Sequence, residues 1–330
     1  MNIKPGSAVL LVCHDAGGAE ILSAYVKKNK DHYVFSCFVS GPAVNIFQKK
    51  GLNYLCLPTE TSLEACFSDS KLTYDMVLTG TSWTTDLERR AIIMARNKGI
   101  RTASYLDHWV NYKERFGYPA LEWKTRMPDE IWVGDKYAYA QAKKDNFPLL
   151  RLVPNQYFEE MREEIKRYRL NMRAEHGPGN RRQTILFISE PVSLGAERMF
   201  GDPGHWGYTE SDVFDILCRA VSASIPKRER RIVVRLHPAD NPESYHSLIS
   251  LWKPSFSIEY SDEPNIVAEV LCSDIIVGME SMALVVAVLA DKPVLSCVPS
   301  AKKSCSLPFE EIIHVSNENA LRLALDTPGF

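Results

Sequence analysis

The sequence lacks the patterns that mark several large classes of proteins. None of its eight cysteines has the C-x-x-C spacing of a zinc site. Most of them lie in apolar, strand-like runs, which predicts buried and reduced thiols. No apolar run approaches the roughly 20 residues of a membrane span, and the N-terminus shows neither the apolar region nor the cleavage site of a signal peptide. We therefore expect a cytoplasmic protein, with a peripheral contact to the inner membrane surface left open.

The sequence also has no large excess of either positive or negative charge. The chain has 39 Lys and Arg against 41 Asp and Glu, a formal net charge of -2, whereas general nucleic-acid binding needs a strongly basic face. The G-x-G-x-x-G pattern of dinucleotide-binding enzymes is missing, which disfavours a nicotinamide cofactor. A D-x-D pattern, which chelates a nucleotide diphosphate through Mg²⁺ or Mn²⁺, is missing as well. We therefore expect no nucleic-acid partner, no cofactor and no metal site.

Short apolar runs alternate with helical stretches along the chain, and its 330 residues suit two domains. Continuous apolar strands separated by helices predict an α/β protein with parallel sheets that are covered on both faces. In the first half we predict strands at 8–13, 33–39, 54–57, 76–79, 102–106 and 130–133. In the second half we predict strands at 184–189, 231–236 and 274–277, and another that starts at 292.

A polar stretch containing Gly and Pro, 174–182, is the strongest linker pattern in the sequence. We predict an N-terminal Rossmann-like domain over 1–155, a connecting helix and linker over 156–182, and a C-terminal Rossmann-like domain over 183–330. Ligands of open α/β sheets bind beyond the carboxyl ends of the strands. We therefore expect the site in a cleft between the two domains, on their strand-end loops.

Three strand-end loops of the second half carry candidate ligand-binding residues. In the first of them, His237 follows a strand and is fixed by Pro238. Its ring N–H can then reach a phosphate or ribose oxygen, with Arg235 adding charge. The alternative is a structural His before a turn-forming Pro.

The second loop joins a strand to an apolar helix through Gly278. Ser281 lies at the helix start, where unpaired N–H groups and the positive end of the helix dipole suit a phosphate. Ser281 also suits a helix N-cap, and one residue can do both. Glu280 and Met282 flank it and belong to the predicted ligand-binding set.

The third loop begins with Ser189 and Glu190, at the end of the first strand of the second half. Glu190 is suited to accept a hydrogen bond from a ribose hydroxyl or a base amine, with a solvated turn carboxylate as the alternative. The aromatic loop 201–208 follows and suits part of a lid.

In the first half, His14 and Asp15 directly follow the first strand. Gly17 and Gly18 come next and permit a tight turn and a close approach of a ligand. A transfer reaction to a hydroxyl needs a base that takes its proton. Asp15 is the first candidate for this base and His14 the second. The alternative for Asp15 is a cap on the following helix.

Polar, basic and aromatic residues crowd together after a later strand of the first half. Trp and Tyr faces stack on sugars, and Lys and Arg pair with carboxylates or phosphates. A further polar strand end lies at 80–84. The alternative is a long surface loop whose aromatic side chains pack on the body. The predicted acceptor-binding residues are Asp107, His108, Trp109, Tyr112 and Arg115.

The second half resembles the nucleotide-binding domain of bacterial GT-B glycosyltransferases of surface-polysaccharide synthesis. The pair His237-Pro238 followed by Ser281 is similar to the HP and S motifs of bacterial sialyltransferases and polysialyltransferases. The resemblance implies that His237 and Ser281 bind the cytidine monophosphate of a CMP-sugar donor. It places Asp15 where a catalytic acid or base lies, although the acidic-acidic-Gly motif of that family is not present.

The same resemblance implies two Rossmann-like domains facing across a cleft. It also implies transfer of an acidic sugar, of the nonulosonic acid or Kdo type, to a glycan or lipid-linked acceptor. We expect this transfer to be metal-independent because the D-x-D pattern is missing, and inverting because a single base is expected. Arg115 would then pair with the sugar carboxylate. Three alternatives stay open: a UDP-sugar-dependent glycosyltransferase, an enzyme similar to UDP-GlcNAc 2-epimerase, and a non-catalytic sugar-nucleotide-binding subunit. The Gly-Thr-Arg-Pro-Glu start and the Asp-Ser-Gly-Gly segment of the epimerase are absent.

Overall fold

The structure, a computed structural model, describes residues 4–56, 61–68, 73–82, 85–147, 149–175, 182–224 and 229–327. The chain divides into two compact units, Met1–Glu160 (unit 1) and Met161–Phe330 (unit 2). Residues 83 and 84 of the polar strand end and most of the linker predicted at 174–182 lie outside the described residues.

Unit 1 contains a seven-stranded sheet in the order β3-β2-β1-β4-β5-β6-β7, and all of its strand pairs are parallel. Its strands are β1 (Ala8–Cys13), β2 (Val34–Val39), β3 (Leu55–Cys56), β4 (Met76–Thr79), β5 (Arg101–Leu106), β6 (Glu130–Val133) and β7 (Leu150–Leu152). Its helices are α1 (Ala16–Asn29), α2 (Pro42–Lys49), α3 (Thr61–Ser68), α4 (Leu87–Asn97) and α5 (Lys136–Lys144). The boundary between the units lies within helix α6 (Gln156–Glu175).

Unit 2 repeats this architecture with a six-stranded parallel sheet in the order β10-β9-β8-β11-β12-β13. Its strands are β8 (Gln183–Ile188), β9 (Arg230–Arg235), β10 (Ser257–Tyr260), β11 (Ile275–Gly278), β12 (Val294–Cys297) and β13 (Ile312–Val315). Its further helices are α7 (Val192–Phe200), α8 (Glu210–Ala223), α9 (Glu243–Trp252), α10 (Ile266–Cys272), α11 (Met282–Leu289) and α12 (Glu318–Leu325).

The core explains why the strands are continuous apolar runs. Along β1, Val9 and Leu11 join a hydrophobic cluster on one face of the sheet, whereas Leu10 and Val12 join a separate cluster on the other face. Successive side chains of a strand point to opposite faces, so a sheet that is covered on both faces needs apolar residues at every position. Among the described residues, no helix has the length and apolar content needed to cross a bilayer.

Each sheet has one point at which the strand order reverses. In unit 1 it lies between β1 and β4, and in unit 2 between β8 and β11. At such a switch point the two following loops lead away in opposite directions, which opens a crevice beyond the carboxyl ends of the strands. His14 and Asp15 follow β1, and Glu280 and Ser281 follow β11. The switch points therefore carry several of the residues that the sequence singled out.

Candidate functional site

In unit 1, three hydrogen bonds hold His14. Its backbone N–H donates to Glu88 Oε1 at 2.8 Å, and its carbonyl accepts from the Ala43 N–H at 3.0 Å. The ring Nδ1 lies 2.7 Å from Asp15 Oδ1. The side chain of Asp15 makes no capping bond to helix α1. Asp15 therefore bonds the imidazole, and the alternative of a helix-capping side chain is not what the structure shows.

This pairing determines what the other ring nitrogen of His14 can do. An ionised carboxylate only accepts hydrogen bonds, so Nδ1 carries the ring proton and Nε2 keeps its lone pair. A Cβ atom on Gly41 would lie 2.4 Å from Nε2, and Gly41 also has a φ of 56°. Glycine at this position therefore leaves the space that the His14 ring occupies at Nε2. The arrangement suits Nε2 to accept a proton, with Asp15 orienting the ring.

Glu88 is a buried carboxyl that the sequence analysis missed. It lies in the first turn of α4, with a side chain that is 3% exposed. Oε1 accepts from His14, and Oε2 has no hydrogen-bond partner among the described residues. Burial raises the pKa of Glu88 from its ordinary 4.5 to about 7, and the neighbouring Asp15 adds to the rise. It lies in the run Asp-Leu-Glu-Arg-Arg, which has the charged composition of a solvated helix start. The sequence therefore does not indicate that Glu88 is buried.

A pH-dependent contribution to stability follows from this pKa. A carboxyl whose pKa is raised in the folded state binds its proton more tightly there than in the unfolded chain. Its contribution to stability is therefore complete below about pH 4.5 and is lost as the pH rises through about 7. Since one pKa unit corresponds to about 1.4 kcal/mol, the loss amounts to about 3 kcal/mol.

We therefore expect Glu88→Gln to gain stability relative to the wild type between pH 4.5 and 8. Urea unfolding of both proteins across this pH range measures the difference between their free energies of unfolding. The titration of other groups is common to both proteins and cancels in this difference. Glu122→Gln, at a carboxylate that is 67% exposed, is the matched control and should show no such trend. If the difference in unfolding free energy between Glu88→Gln and the wild type did not change with pH, the raised pKa of Glu88 would be contradicted.

Asp107, which follows β5, forms an ion pair with Arg115. The guanidinium Nη1 lies 2.5 Å from Asp107 Oδ1, and both side chains are 8% exposed. Nη1 also donates to the hydroxyl of Thr81, at 3.0 Å. A Cβ atom on Gly17 would lie 2.1 Å from Asp107 Oδ2, so α1 starts directly against this carboxylate. The charge of Arg115 is thus paired within unit 1, and its pairing with a sugar carboxylate stays a prediction.

The aromatic residues of the predicted acceptor loop lie inside unit 1. Trp109 and Tyr112 are buried, and the Trp109 indole N–H donates to Asp135, which caps α5. The ring of His108 packs edge-on against Trp109. Tyr112 packs against Phe147. The faces of Trp109 and Tyr112 are used in packing, and the acceptor role of this loop stays a prediction.

In unit 2, two carboxylates lie together at the switch point. Glu190 Oε2 accepts from the backbone N–H of Glu280 at 2.8 Å, which ties the β8 loop to the β11 loop. Burial raises the pKa of Glu190, and the charge of Glu280 raises it further. Lys303 Nζ forms an ion pair with Glu280 Oε2. A Cβ atom on Gly278 would lie 3.1 Å from the Ile188 carbonyl, so glycine permits β11 to approach β8 closely.

His237 follows β9, beside β8, and its ring is held in one tautomer. The backbone N–H of Ala239 donates to His237 Nδ1 at 3.1 Å, and the backbone N–H of His237 donates to Asp240 at 2.8 Å. Because Nδ1 accepts, Nε2 carries the proton in the neutral ring. His237 and Pro238 are exposed. The neutral ring of His237 can therefore donate through Nε2, and its predicted bond to a ligand phosphate or ribose stays a prediction.

The hydroxyls of the two predicted serines of unit 2 already take part in hydrogen bonds within the protein. Ser281 caps α11, its hydroxyl accepting from the Ala283 N–H at 3.2 Å, and Met282 is the first helical residue. Ser189 is buried, and its hydroxyl lies 2.5 Å from that of Tyr245.

Arg235, the cation predicted to stabilise a ligand phosphate, is engaged elsewhere. Its Nη1 lies 2.5 Å from Glu269 Oε2 and 2.6 Å from the Glu263 carbonyl. These bonds direct its charge toward α10. The sequence could not predict the pairing of Arg235 with Glu269, because only the tertiary fold brings the helix of Glu269 beside β9.

Comparison with solved structures finds several proteins with a similar fold over nearly the whole chain. It is similar to UDP-GlcNAc 2-epimerase from Methanocaldococcus jannaschii, with a TM-score of 0.63 and 12% identity, over 98% of this chain and 94% of that one. Anabaena Alr3699/HepE in complex with UDP has a TM-score of 0.59 and 11% identity, over 96% and 88%. Acinetobacter baumannii MurG has a TM-score of 0.52 and 12% identity, over 96% and 82%.

These similarities confirm the predicted fold class, an α/β chain with two Rossmann-like domains of the GT-B type. The neighbours named with a nucleotide are named with UDP, so they do not support the CMP-sugar specificity inferred from the HP and S motifs. No family model matches the sequence, and no curated protein matches it at a significant level.

Proposed function

We propose that this chain is a glycosyltransferase that uses a UDP-activated sugar. The observation that carries the proposal is the carboxyl edge of unit 2. There His237 presents a ring N–H at the end of β9, and the N-terminus of α11 opens at Ser281 on the other side of the switch point. A helix N-terminus and a fixed N–H donor are a recurrent way to hold phosphate oxygens.

The ribose is assigned to the carboxylate of Glu190. Oε2 is occupied by the Glu280 N–H, but a carboxylate has about four acceptor positions on its two oxygens. It can therefore also accept from a ribose hydroxyl. Uridine is favoured over cytidine as the base because the similar proteins are named with UDP or UDP-GlcNAc. CMP-sugar transfer rests on the HP and S resemblance alone.

His14 is assigned the role of general base, in place of the first candidate Asp15. In the transfer step His14 Nε2 takes the proton of the acceptor hydroxyl, and the acceptor oxygen bonds to the anomeric carbon. The bond from that carbon to the phosphate oxygen breaks, and UDP leaves with the electron pair. Asp15, 2.7 Å from Nδ1, stabilises the imidazolium that forms.

A UDP-sugar 2-epimerase is the second candidate. The observation that favours it is the near-complete overlap with UDP-GlcNAc 2-epimerases, which covers 98% of this chain for the Methanocaldococcus jannaschii and the Listeria monocytogenes proteins. The two candidates differ in their products. A transferase releases UDP and needs an acceptor, whereas an epimerase converts UDP-GlcNAc into its 2-epimer without one. Analysis of the sugar nucleotide after incubation with the purified chain separates them.

We expect UDP to bind to the wild type and His237→Ala to weaken this binding by about tenfold, the effect of losing a hydrogen bond to a charged group. Isothermal titration with UDP, UMP, CDP and CMP measures it. His246→Ala is the matched control, since His246 is also an exposed histidine of unit 2, on α9. Selective binding of CMP would return the proposal to CMP-sugars. Binding of no nucleotide by the wild type would contradict it.

A further inference from the structure

The loop after β12 folds back onto the residues that precede α11. The backbone N–H of Ser306 donates to Glu280 Oε1 at 2.9 Å. The hydroxyl of Ser300 donates to the Trp206 carbonyl at 2.5 Å, which ties this loop to the aromatic loop 201–208. Because β12 lies beside β11 in the sheet, both loops lie at the carboxyl edge that carries the proposed UDP site.

Lys303 is the residue that these contacts fix in place. Its Nζ pairs with Glu280 Oε2 and lies 5.3 Å from the centre of the Trp206 ring, within the range of a cation–π contact. The adjacent Lys302 points elsewhere, because its Nζ donates to the His205 carbonyl at 2.7 Å. In the sequence, both lysines have the appearance of an ordinary surface pair.

Tyr208 is an independent sign that this cluster binds a ligand. Its side chain is 3% exposed, and its hydroxyl has no hydrogen-bond partner among the described residues. Tyr208 lies two positions after Trp206, whose ring Lys303 contacts. Burial raises the pKa of the Tyr208 hydroxyl, and the charges of Glu280 and Glu190 raise it further. A buried hydroxyl without a partner is unfavourable, and a ligand hydroxyl at this point would satisfy it.

The proposed UDP site still needs a cation for the phosphate charge, since Arg235 is held by Glu269. We propose that Lys303 is this cation, and that it exchanges Glu280 for a donor phosphate when the nucleotide binds. The released carboxylate of Glu280 then accepts from hydroxyls of the donor sugar. This inference rests on the proposed function and deepens it.

The exchange is physically reasonable for a lysine. Its ammonium is a compact charge on a flexible four-carbon stem, so it can move between two anions that lie close together. A diphosphate carries more charge than a carboxylate, and the N-terminus of α11 adds to its stabilisation. Glu280 meanwhile keeps the hydrogen bond from the Ser306 N–H, so its carboxylate does not lose every partner.

The test compares UDP with uridine in four full-length proteins: the wild type, Lys303→Met, Glu280→Gln and the double variant. Lys303→Met is expected to weaken UDP binding by roughly tenfold or more and to leave uridine binding unchanged, because only UDP carries the phosphates. Glu280→Gln is expected to bind UDP more tightly than the wild type, because the competing carboxylate charge has been removed. The double variant is expected to bind UDP as weakly as Lys303→Met.

The double variant also separates binding from stability, since it leaves no unpaired Glu280 carboxylate. Lys302→Met is the matched control and should bind UDP like the wild type, and Lys303→Arg should retain most of the affinity. Equal UDP affinity in Lys303→Met and the wild type would overturn the assignment, as would an equal loss for uridine and UDP. A weaker UDP affinity in Glu280→Gln would overturn the exchange. If the wild type binds neither ligand, the proposed function fails as well.

Discussion

Replacing His14 with Gln is expected to lower kcat for glycosyl transfer by about 10²–10⁴-fold, the usual contribution of a positioned general base. Glutamine removes the lone pair that Nε2 keeps while Nδ1 is bonded to Asp15. The UDP affinity should stay within about twofold of the wild type, because a base that acts only in the transition state adds little to nucleotide binding. The measurement is UDP release from UDP-sugars in the presence of glycan acceptors, beside calorimetric UDP binding.

Two further variants are needed to interpret this experiment. His32→Gln is the matched control, because His32 is an exposed histidine of unit 1 that packs against Tyr33. Asp15→Asn should also lose most activity, since an amide can donate to Nδ1 and thereby hold the wrong tautomer. Full turnover by His14→Gln together with inactive Asp15→Asn would make Asp15 the base, as the sequence first suggested. Loss of UDP binding in both would point to unfolding.

The sequence was a good guide to the strands in the middle of each sheet. Residues 8–13, 76–79 and 130–133 were predicted as strands and form β1, β4 and β6. The strands that it missed, β7, β10 and β13, lie at sheet edges. Each of them has residues outside the core, so its apolar run is short or broken. An edge strand is covered on fewer sides than a central one and needs fewer apolar residues.

The candidate site likewise contains residues that the sequence could single out and contacts that it could not predict. His237 and Ser281 were found because a strand end followed by Pro, or by an apolar helix, is a local pattern. The ion pair of Arg235 with Glu269 is formed by residues 34 positions apart. Whether a long polar side chain is paired inside the protein or free to bind a ligand depends on such tertiary partners. The same reason hid the burial of Glu88 and the contact of Lys303 with Glu280.

Asp107→Ala is expected to destabilise the protein by about 3–5 kcal/mol, the cost of leaving one member of a buried ion pair without its partner. Both side chains of the pair with Arg115 are 8% exposed, so water cannot replace the lost carboxylate. Glu259→Ala is the matched control: it breaks a pair with Arg231 whose side chains are 48% and 38% exposed. Such a pair contributes about 1 kcal/mol or less. Urea unfolding of the three proteins gives the comparison.

The double variant Asp107→Ala, Arg115→Met decides what this pair does. If its role is to hold the β5 loop, removing both charges should restore most of the lost stability, because no buried charge then remains unpaired. If Asp107 instead binds the acceptor, as the sequence predicted, the double variant should be stable and still lose acceptor use while it binds UDP normally. A stable Asp107→Ala with unchanged unfolding would show that hydrogen bonds to other groups, such as the hydroxyl and carbonyl of Thr81, are enough to stabilise the Arg115 guanidinium.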